Sequence, residues 1–200
     1  MSPEPSSARI ADEPQSWPLS RSAYVYESGW VVNFREDTLS VPGEPEHEFT
    51  RLVVEDPGAV VVLAIDEDDR VVILRQYRHP VQKRMIQLPA GKLDKPGEDP
   101  LVAAQRELRE ETGLAAAEWT HLLTTYASPG ITSETHALYL ARGLTEVPRD
   151  FEMHHEEADM TMERVGYQDL LEAVLDGSAA DAPLAGAVMS YELMRNRGRF

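Results

Sequence analysis

Cysteine is absent from this chain, which excludes disulfides, zinc-thiolate centres and thiol catalysis. Long apolar runs are also missing: nothing approaches the ~20 residues needed to cross a bilayer, and the N-terminus lacks the basic-then-apolar order of a secretory signal. A soluble, cytoplasmic protein is the expectation. Positive charge is scarce. Nineteen Lys and Arg against 35 Asp and Glu leave a formal charge of −16, the wrong sign for a protein that tracks a nucleic-acid backbone by displacing its counterions. A phosphate-bearing partner would therefore be small and held through metal. What is present is 200 residues with 42% apolar content, enough for one well-filled domain and too little for two of usual size.

Residues 1–20 are rich in Pro, Ser and charge and can bury little to offset their ordering entropy, so a disordered tail is expected. Short runs of Val, Tyr, Phe and Thr follow at Ala23–Glu27, Trp30–Arg35 and, beyond a turn at Pro42-Gly43, Glu48–Glu55; these predict strands. Ala59–Ile65 is continuously apolar. With the turn Asp66–Arg70 and Val71–Arg75 it predicts a hairpin at the heart of the main sheet. Further strands are expected at Met85–Leu88, Trp119–Ala127 and Thr135–Ala141. A helix is predicted over Leu101–Thr112, with Asp99 as its cap, Pro100 in its first turn and Gly113 as its left-handed stop. Two more helices are expected near Tyr167–Leu175 and Pro183–Arg195.

On the first helix, 100° per residue places Glu107 and Glu111 one turn apart on the same side, with Glu110 a step further round. Like charges at this spacing repel, and Arg106 and Arg109 are expected to point away from the Glu107/Glu111 side. An ordinary solvated charged face accounts for most helices of this composition. The other way to hold such carboxylates together is a divalent cation, because Mg²⁺ takes hard oxygen ligands and leaves positions for water and phosphate.

The surrounding residues decide between these readings. Gly91-Lys-Leu-Asp-Lys-Pro-Gly-Glu98, then seven residues, then Arg106-Glu-Leu-Arg-Glu-Glu-Thr-Gly-Leu114 resembles the Nudix box, G-x5-E-x7-R-E-U-x-E-E-x-G-U with U aliphatic. One departure is visible: six residues, not five, separate Gly91 from Glu98. The extra residue falls in the loop 92–97, upstream of the helix, and leaves the carboxylate spacing untouched. The resemblance implies an α+β fold, an α/β/α sandwich, with Glu107 and Glu111 as metal ligands, Glu110 assisting, Glu98 nearby and Arg106 orienting the carboxylates by salt bridges. The implied cofactor is Mg²⁺, with Mn²⁺ as the alternative. Gly91 and Gly113 have a turn-and-cap explanation besides the family one.

Residues outside the box resemble the ADP-ribose diphosphatases within that superfamily. Leu88-Pro89-Ala90-Gly91 looks like their L-P-A-G element, in which the Ala90 carbonyl would be another metal ligand. Ser128-Pro129-Gly130 is similar to an [SA]-P-G element, which places Gly130 in the binding region, although such a turn is common by itself. Glu134 matches an acidic residue that binds the terminal ribose. His154-His155-Glu156-Glu157-Ala158-Asp159-Met160 resembles a mobile acidic loop in which Glu157 is the catalytic base; His154 and His155 read as surface residues. Arg51 and Arg78 would contact the adenosine diphosphate part, though Arg51 reads equally well as an exposed strand residue.

The resemblance also implies an organisation: a tail at 1–20, an N-terminal antiparallel β-sheet at 21–57 exchanged across a homodimer, and the catalytic domain at 58–200. Tyr24, Tyr26, Trp30, Val32 and Phe34 need a surface to cover, which a small sheet alone does not supply. The implied reaction is metal-dependent hydrolysis of ADP-ribose to AMP and ribose 5-phosphate, water being activated by metal and Glu157. Neighbouring readings are a Nudix hydrolase of NADH, a dinucleoside polyphosphate or a nucleotide sugar. A reading of another class is a non-catalytic module that senses ADP-ribose, for which eroded box glutamates and a DNA-binding helix pair would be expected. All four box glutamates stand.

Overall fold

A computed structural model of the chain describes residues 10–27, 32–148 and 159–200. Its organising element is strand β4 (Ala59–Ala64), which is buried at every position. Successive side chains of a strand point to opposite faces, and β4 feeds two cores. Val60, Val62 and Ala64 pack with Ala103, Ala104 and Leu108 of helix α1 (Pro100–Thr112). Val61, Leu63 and Ile65 pack on the opposite side with Leu170 and Leu171 of helix α2 (Tyr167–Leu175) and with Leu184, Ala187, Val188 and Tyr191 of helix α3 (Ala182–Asn196). Each fully buried Val, Leu or Ile side chain among these contributes ~1.5–3 kcal/mol. The result is the expected layering of helix, sheet and helix.

β4 lies in a four-stranded sheet of order β7-β4-β9-β8, with β7 at Ala90–Lys92, β8 at Leu114–Tyr126 and β9 at Thr135–Glu146. It runs parallel to β9 and antiparallel to β7. A second sheet, β10-β5-β6, holds β5 (Arg70–Arg78), β6 (Lys83–Gln87) and β10 (Thr161–Gly166). This corrects the predicted hairpin. Ile65 and Val71 make an isolated bridge, after which β4 and β5 part into different sheets. The corner is held by Asp66, whose carboxylate accepts from the backbone N–H of Asp68 (3.1 Å) and Arg70 (2.9 Å) and pairs with the guanidinium groups of Arg70 (3.1 Å) and, from β10, Arg164 (3.0 Å). Strands β7 and β10 were not expected from the sequence, and β8 starts five residues before the predicted Trp119, directly after the α1 stop.

Helix α1 starts as its capping residues require. The Asp99 side chain accepts from the Leu101 N–H at 2.8 Å, and Pro100 opens the helix. Gly113 closes it at φ 68°, its N–H bonded to the Arg109 carbonyl at 2.9 Å.

The N-terminal sheet is an antiparallel meander of β1 (Leu19–Glu27), β2 (Asn33–Val41) and β3 (Glu44–Glu55). β1 begins inside the stretch expected to be tail, and β2 runs six residues beyond the predicted Arg35. Trp30 lies outside the described residues. The turn at Pro42-Gly43 is where the sequence placed it, with Gly43 at φ 89°.

Candidate active site

Leu88-Pro89 feeds the short edge strand β7. The Pro89 carbonyl accepts from the Val62 N–H at 2.8 Å, and Ala90, Gly91 and Lys92 lie opposite Val61, Val60 and Ala59. Helix α1 meets this edge with two carboxylates. The Ala90 N–H donates to Glu111 Oε2 at 2.8 Å. Glu107 rests on Gly91 so closely that a Cβ there would lie 2.0 Å from the Glu107 carboxyl carbon. Gly91 is thus fixed by the approach of a carboxylate. The one-turn spacing read from the sequence becomes two carboxylates converging on one strand edge.

Arg106 organises the others. Its guanidinium forms a fork on Glu98 (3.1 and 3.0 Å) and also reaches Glu107 Oε1 at 2.5 Å and Glu110 Oε2 at 3.0 Å. Such two-pronged pairs fix geometry as well as charge. The expectation that Arg106 points away from Glu107 is therefore corrected: a long side chain one residue along can fold back over the helix surface. The Arg106 hydrogen bond holds the Glu98 carboxyl below its usual range. Glu107 is pushed above it, because burial disfavours the charged form by more than Arg106 favours it, and Glu110 and Asp94 add negative charge nearby. Arg106 itself is pushed up, chiefly by its bond to Glu98.

This donor set fits a hard divalent cation. Glu107 and Glu111 present carboxylates beside backbone, in a cradle that any side chain at position 91 would fill. Among the described residues no three His, Asp or Glu side chains form a metal-holding group by themselves. A bound ion would therefore complete its shell from backbone, water or substrate oxygens.

A cleft of about 410 Å³ opens beside the edge, within the range of small-molecule sites. Ala59, Val61, Ala90, Gly91 and Glu111 line it; Gln76 and Arg78 of β5, Gln87 of β6, and Asp181 and Pro183 at the start of α3 form one flank. Arg78 Nε donates to Gln87 Oε1 (2.6 Å), and Gln87 Nε2 donates to Asp181 Oδ1 (2.8 Å), while Asp181 Oδ2 caps α3 through the Leu184 N–H (3.0 Å). Lys92, Glu134 and His136 also line the cleft. Lys92 Nζ lies 2.7 Å from Glu134 Oε1 and 2.6 Å from Asp56 Oδ2, and His136 Nε2 lies 3.3 Å from Glu134 Oε1.

Six residues expected at the site, Glu107, Glu111, Ala90, Gly91, Arg78 and Glu134, are therefore brought together, with Glu98 and Glu110 tied in through Arg106. Gly130 is not among the cleft residues; it sits in an exposed turn closed by the Ile131 and Thr132 N–H groups on the Ser128 carbonyl. Arg51 does not line this cleft either: it lies on β3 with its guanidinium 4.5 Å from the centre of the Phe49 ring. Glu157, with His154, His155 and Glu156, falls outside the described residues. Sequence reading missed Lys92, Asp56, His136, Gln87 and Asp181. The available signal was strand alternation, since Lys92 stands two residues after Ala90 and so on its face.

Comparison with known proteins agrees with this geometry. Residues 55–184 match the NUDIX domain. The chain is 41% identical over 172 residues to the ADP-ribose pyrophosphatase of Mycobacterium tuberculosis, covering 84% of this chain and 80% of that protein. It is 34% identical over 166 residues to the ADP-ribose pyrophosphatase of Bacillus subtilis, covering 83% and 88%. A crystal structure of an ADP compounds hydrolase superposes with a TM-score of 0.76 at 19% identity, covering 95% of this chain and 100% of that one, which shows a shared fold. On the box, the cleft and these relatives, the chain belongs to the Nudix hydrolase family.

Proposed function

We propose that this Nudix hydrolase cleaves the diphosphate of ADP-ribose, releasing AMP and ribose 5-phosphate. The observation that carries the reading is the convergence of Glu107 and Glu111 on the Ala90–Gly91 edge, at the wall of a cleft whose flanks hold Arg78 and Glu134. The relatives named ADP-ribose pyrophosphatase support the choice of substrate.

A Mg²⁺ ion, or Mn²⁺ in its place, would be held by Glu107, Glu111 and the Ala90 carbonyl, with Glu110 assisting; when bound it neutralises diphosphate charge and acidifies water. The chain's own residues do the rest. Arg106, anchored on Glu98, keeps the helix carboxylates aimed at the strand edge. Arg78, held by Gln87, offers a guanidinium to the diphosphate. Water adds to one phosphorus, the bond to the bridging oxygen breaks, and the water proton passes to a carboxylate. We assign that proton to Glu157, with Glu156 as its competitor. The N-terminal sheet, with Arg51, is assigned to the cleft of a partner copy in a homodimer, and Gly130 to the turn bordering it. The protein is taken to act in the cytoplasm.

A substrate panel with Mg²⁺, scored for AMP release, tests this. ADP-ribose is expected to give a much higher kcat/KM than NADH, diadenosine polyphosphates or nucleotide sugars. A rank below any of them overturns the substrate assignment.

A further inference from the structure

Strand pairing places Lys92, Ala59 and His136 in one row across β7, β4 and β9, and Ala90, Val61 and Leu138 in the row two residues along. At ~3.4 Å per residue, the rows are ~7 Å apart, the length of one sugar unit beyond a phosphate. Strand alternation puts both rows on the same face, and Ala59, Val61, Ala90, Lys92 and His136 all line the cleft. A group attached to a diphosphate bound at the Ala90 edge would thus meet the cluster of Lys92, Glu134 and His136.

In that cluster the contacts of the Lys92 ammonium and the His136 imidazole on the Glu134 carboxylate both fall on Oε1. Glu134 is further held from its backbone, its N–H donating to Thr132 Oγ1 at 3.1 Å and its carbonyl accepting from Ala127 at 3.0 Å. Lys92 is fixed in turn by Asp56, a carboxylate with 6% side-chain exposure. Asp56 is itself tied to the Gly58 N–H at 2.8 Å and through its backbone to Ser133. A carboxylate with one oxygen pinned directs its other oxygen, and a pair of hydroxyls on adjacent carbons is the neutral group that a directed carboxylate and an ammonium recognise together.

Resting on the ADP-ribose reading, we propose that Lys92 is the positioning residue that sets specificity for the sugar end of the substrate. It orients Glu134 toward the hydroxyls and offsets part of the negative charge that Asp56 and Glu134 would otherwise present to a polyanion. Removing the ammonium should act on the sugar-phosphate half and leave the adenosine half alone.

The test is calorimetric binding of the two products, separately, to the full chain with Mg²⁺. In Lys92→Met, ribose 5-phosphate is expected to bind about tenfold or more weakly, the effect of losing a charge-assisted contact, while the AMP Kd stays within about twofold. Lys92→Arg should restore most of the loss, since a guanidinium can span both carboxylates. With ADP-ribose, the change should fall on KM more than on kcat. Because Lys92→Met strands the buried Asp56 carboxylate, the double variant Asp56→Asn, Lys92→Met provides a second protein in which the same selective loss is expected. Unchanged ribose 5-phosphate binding, or equal weakening of both products, overturns the role of Lys92. Wild-type protein that binds AMP but no ribose 5-phosphate overturns the substrate reading itself, and the sugar-end role with it.

Discussion

Strands β3 and β4 are joined by a short link, and both carry adjoining valines and leucines, yet β4 is buried throughout while β3 is exposed over most of its length. Composition separates them, since six of the 12 residues of β3 are Glu, His or Arg and none of β4 is, and the covering layer follows that difference. β4 has α1 on one face and α3 on the other. The N-terminal sheet leaves Tyr24, Val25, Tyr26 and Leu52 at 46–59% exposure. Ion pairs reinforce the backbone ladder of that sheet. Arg35 on β2 forks onto Asp37 at 2.9 and 3.0 Å and pairs with Glu55 of β3, while Ser22 of β1 donates to Asp37 at 2.7 Å. A small sheet of this kind is marginal without apolar cover, and in the proposed homodimer a partner copy would supply that cover while the core held the chemistry.

The harshest test of that division is deletion of residues 1–52. It removes β1, β2 and most of β3 but keeps Val54, bonded to Ile131 at 2.8 Å, and Asp56, bonded to Lys92. We expect a monomer by light scattering with no measurable ADP-ribose hydrolysis. A truncated monomer with wild-type rate would place the whole site within one core and break the comparison. Next in size is Glu111→Gln, in which an amide replaces a carboxylate at the β7 edge. Activity should fall by ~10²–10³-fold with the melting temperature nearly kept, because an amide oxygen can still accept from the Ala90 N–H. A rate near wild type would show that this helix face is only a charged surface.

How far the sequence showed this division depends on the element. Helix α1 was legible to its ends because Asp99, Pro100 and Gly113 each impose a local geometry that tertiary packing had no reason to override. That Glu107 and Glu111 share one side of α1 followed from helical spacing, whereas their meeting with the Ala90–Gly91 edge was implied by the resemblance to the Nudix box. The parting of β4 and β5 was not legible, since the turn residues are the same whether strands pair or diverge; a strand apolar on both faces was nevertheless a sign of two covering layers, where a hairpin with one wet face would alternate. The early start of β8 was hidden because Leu114–Ala117 is Ala-rich and has little strand preference; pairing with Ala116↔Leu144 and its neighbours overrides that. Lys92 falls in the loop expected at 92–97 and nothing in the sequence singles out Asp56, since their meeting depends on a 36-residue separation that only the fold closes.

The smallest predicted effect sharpens the comparison most, because it sets the same residue type against itself in the two regions. Asp66 and Asp37 are both buried, and both carboxyls are held below their usual range. For Asp66, burial pushes upward but is outweighed by the Arg70 N–H and the Arg164 and Arg70 guanidinium groups. For Asp37, the hydrogen bond from Arg35 leads, followed by that from Ser22. A carboxyl depressed on folding stabilises the native state above its unfolded value of about 3.9, and this stability is lost as the pH falls through the folded value. Asp66→Asn breaks a pair at the corner between both sheets of the core and should cost about 3 kcal/mol at neutral pH. Asp37→Asn acts within one thin sheet beside the half-exposed Arg35 and should cost about 1 kcal/mol. Urea titration of Asp66→Asn and amide exchange of Asp37→Asn, each across about pH 7 to 3, check both the size and the sign: each deficit should be full at neutral pH and shrink on acidification as the wild-type carboxylate is protonated. Only Asp66→Asn should shift the unfolding of the whole chain, whereas the Asp37→Asn deficit should appear as earlier exchange of amides in β1 and β2. Equal costs, or a deficit that grows in acid, would show that the two carboxylates do the same work and that the sheet is as firmly built as the core.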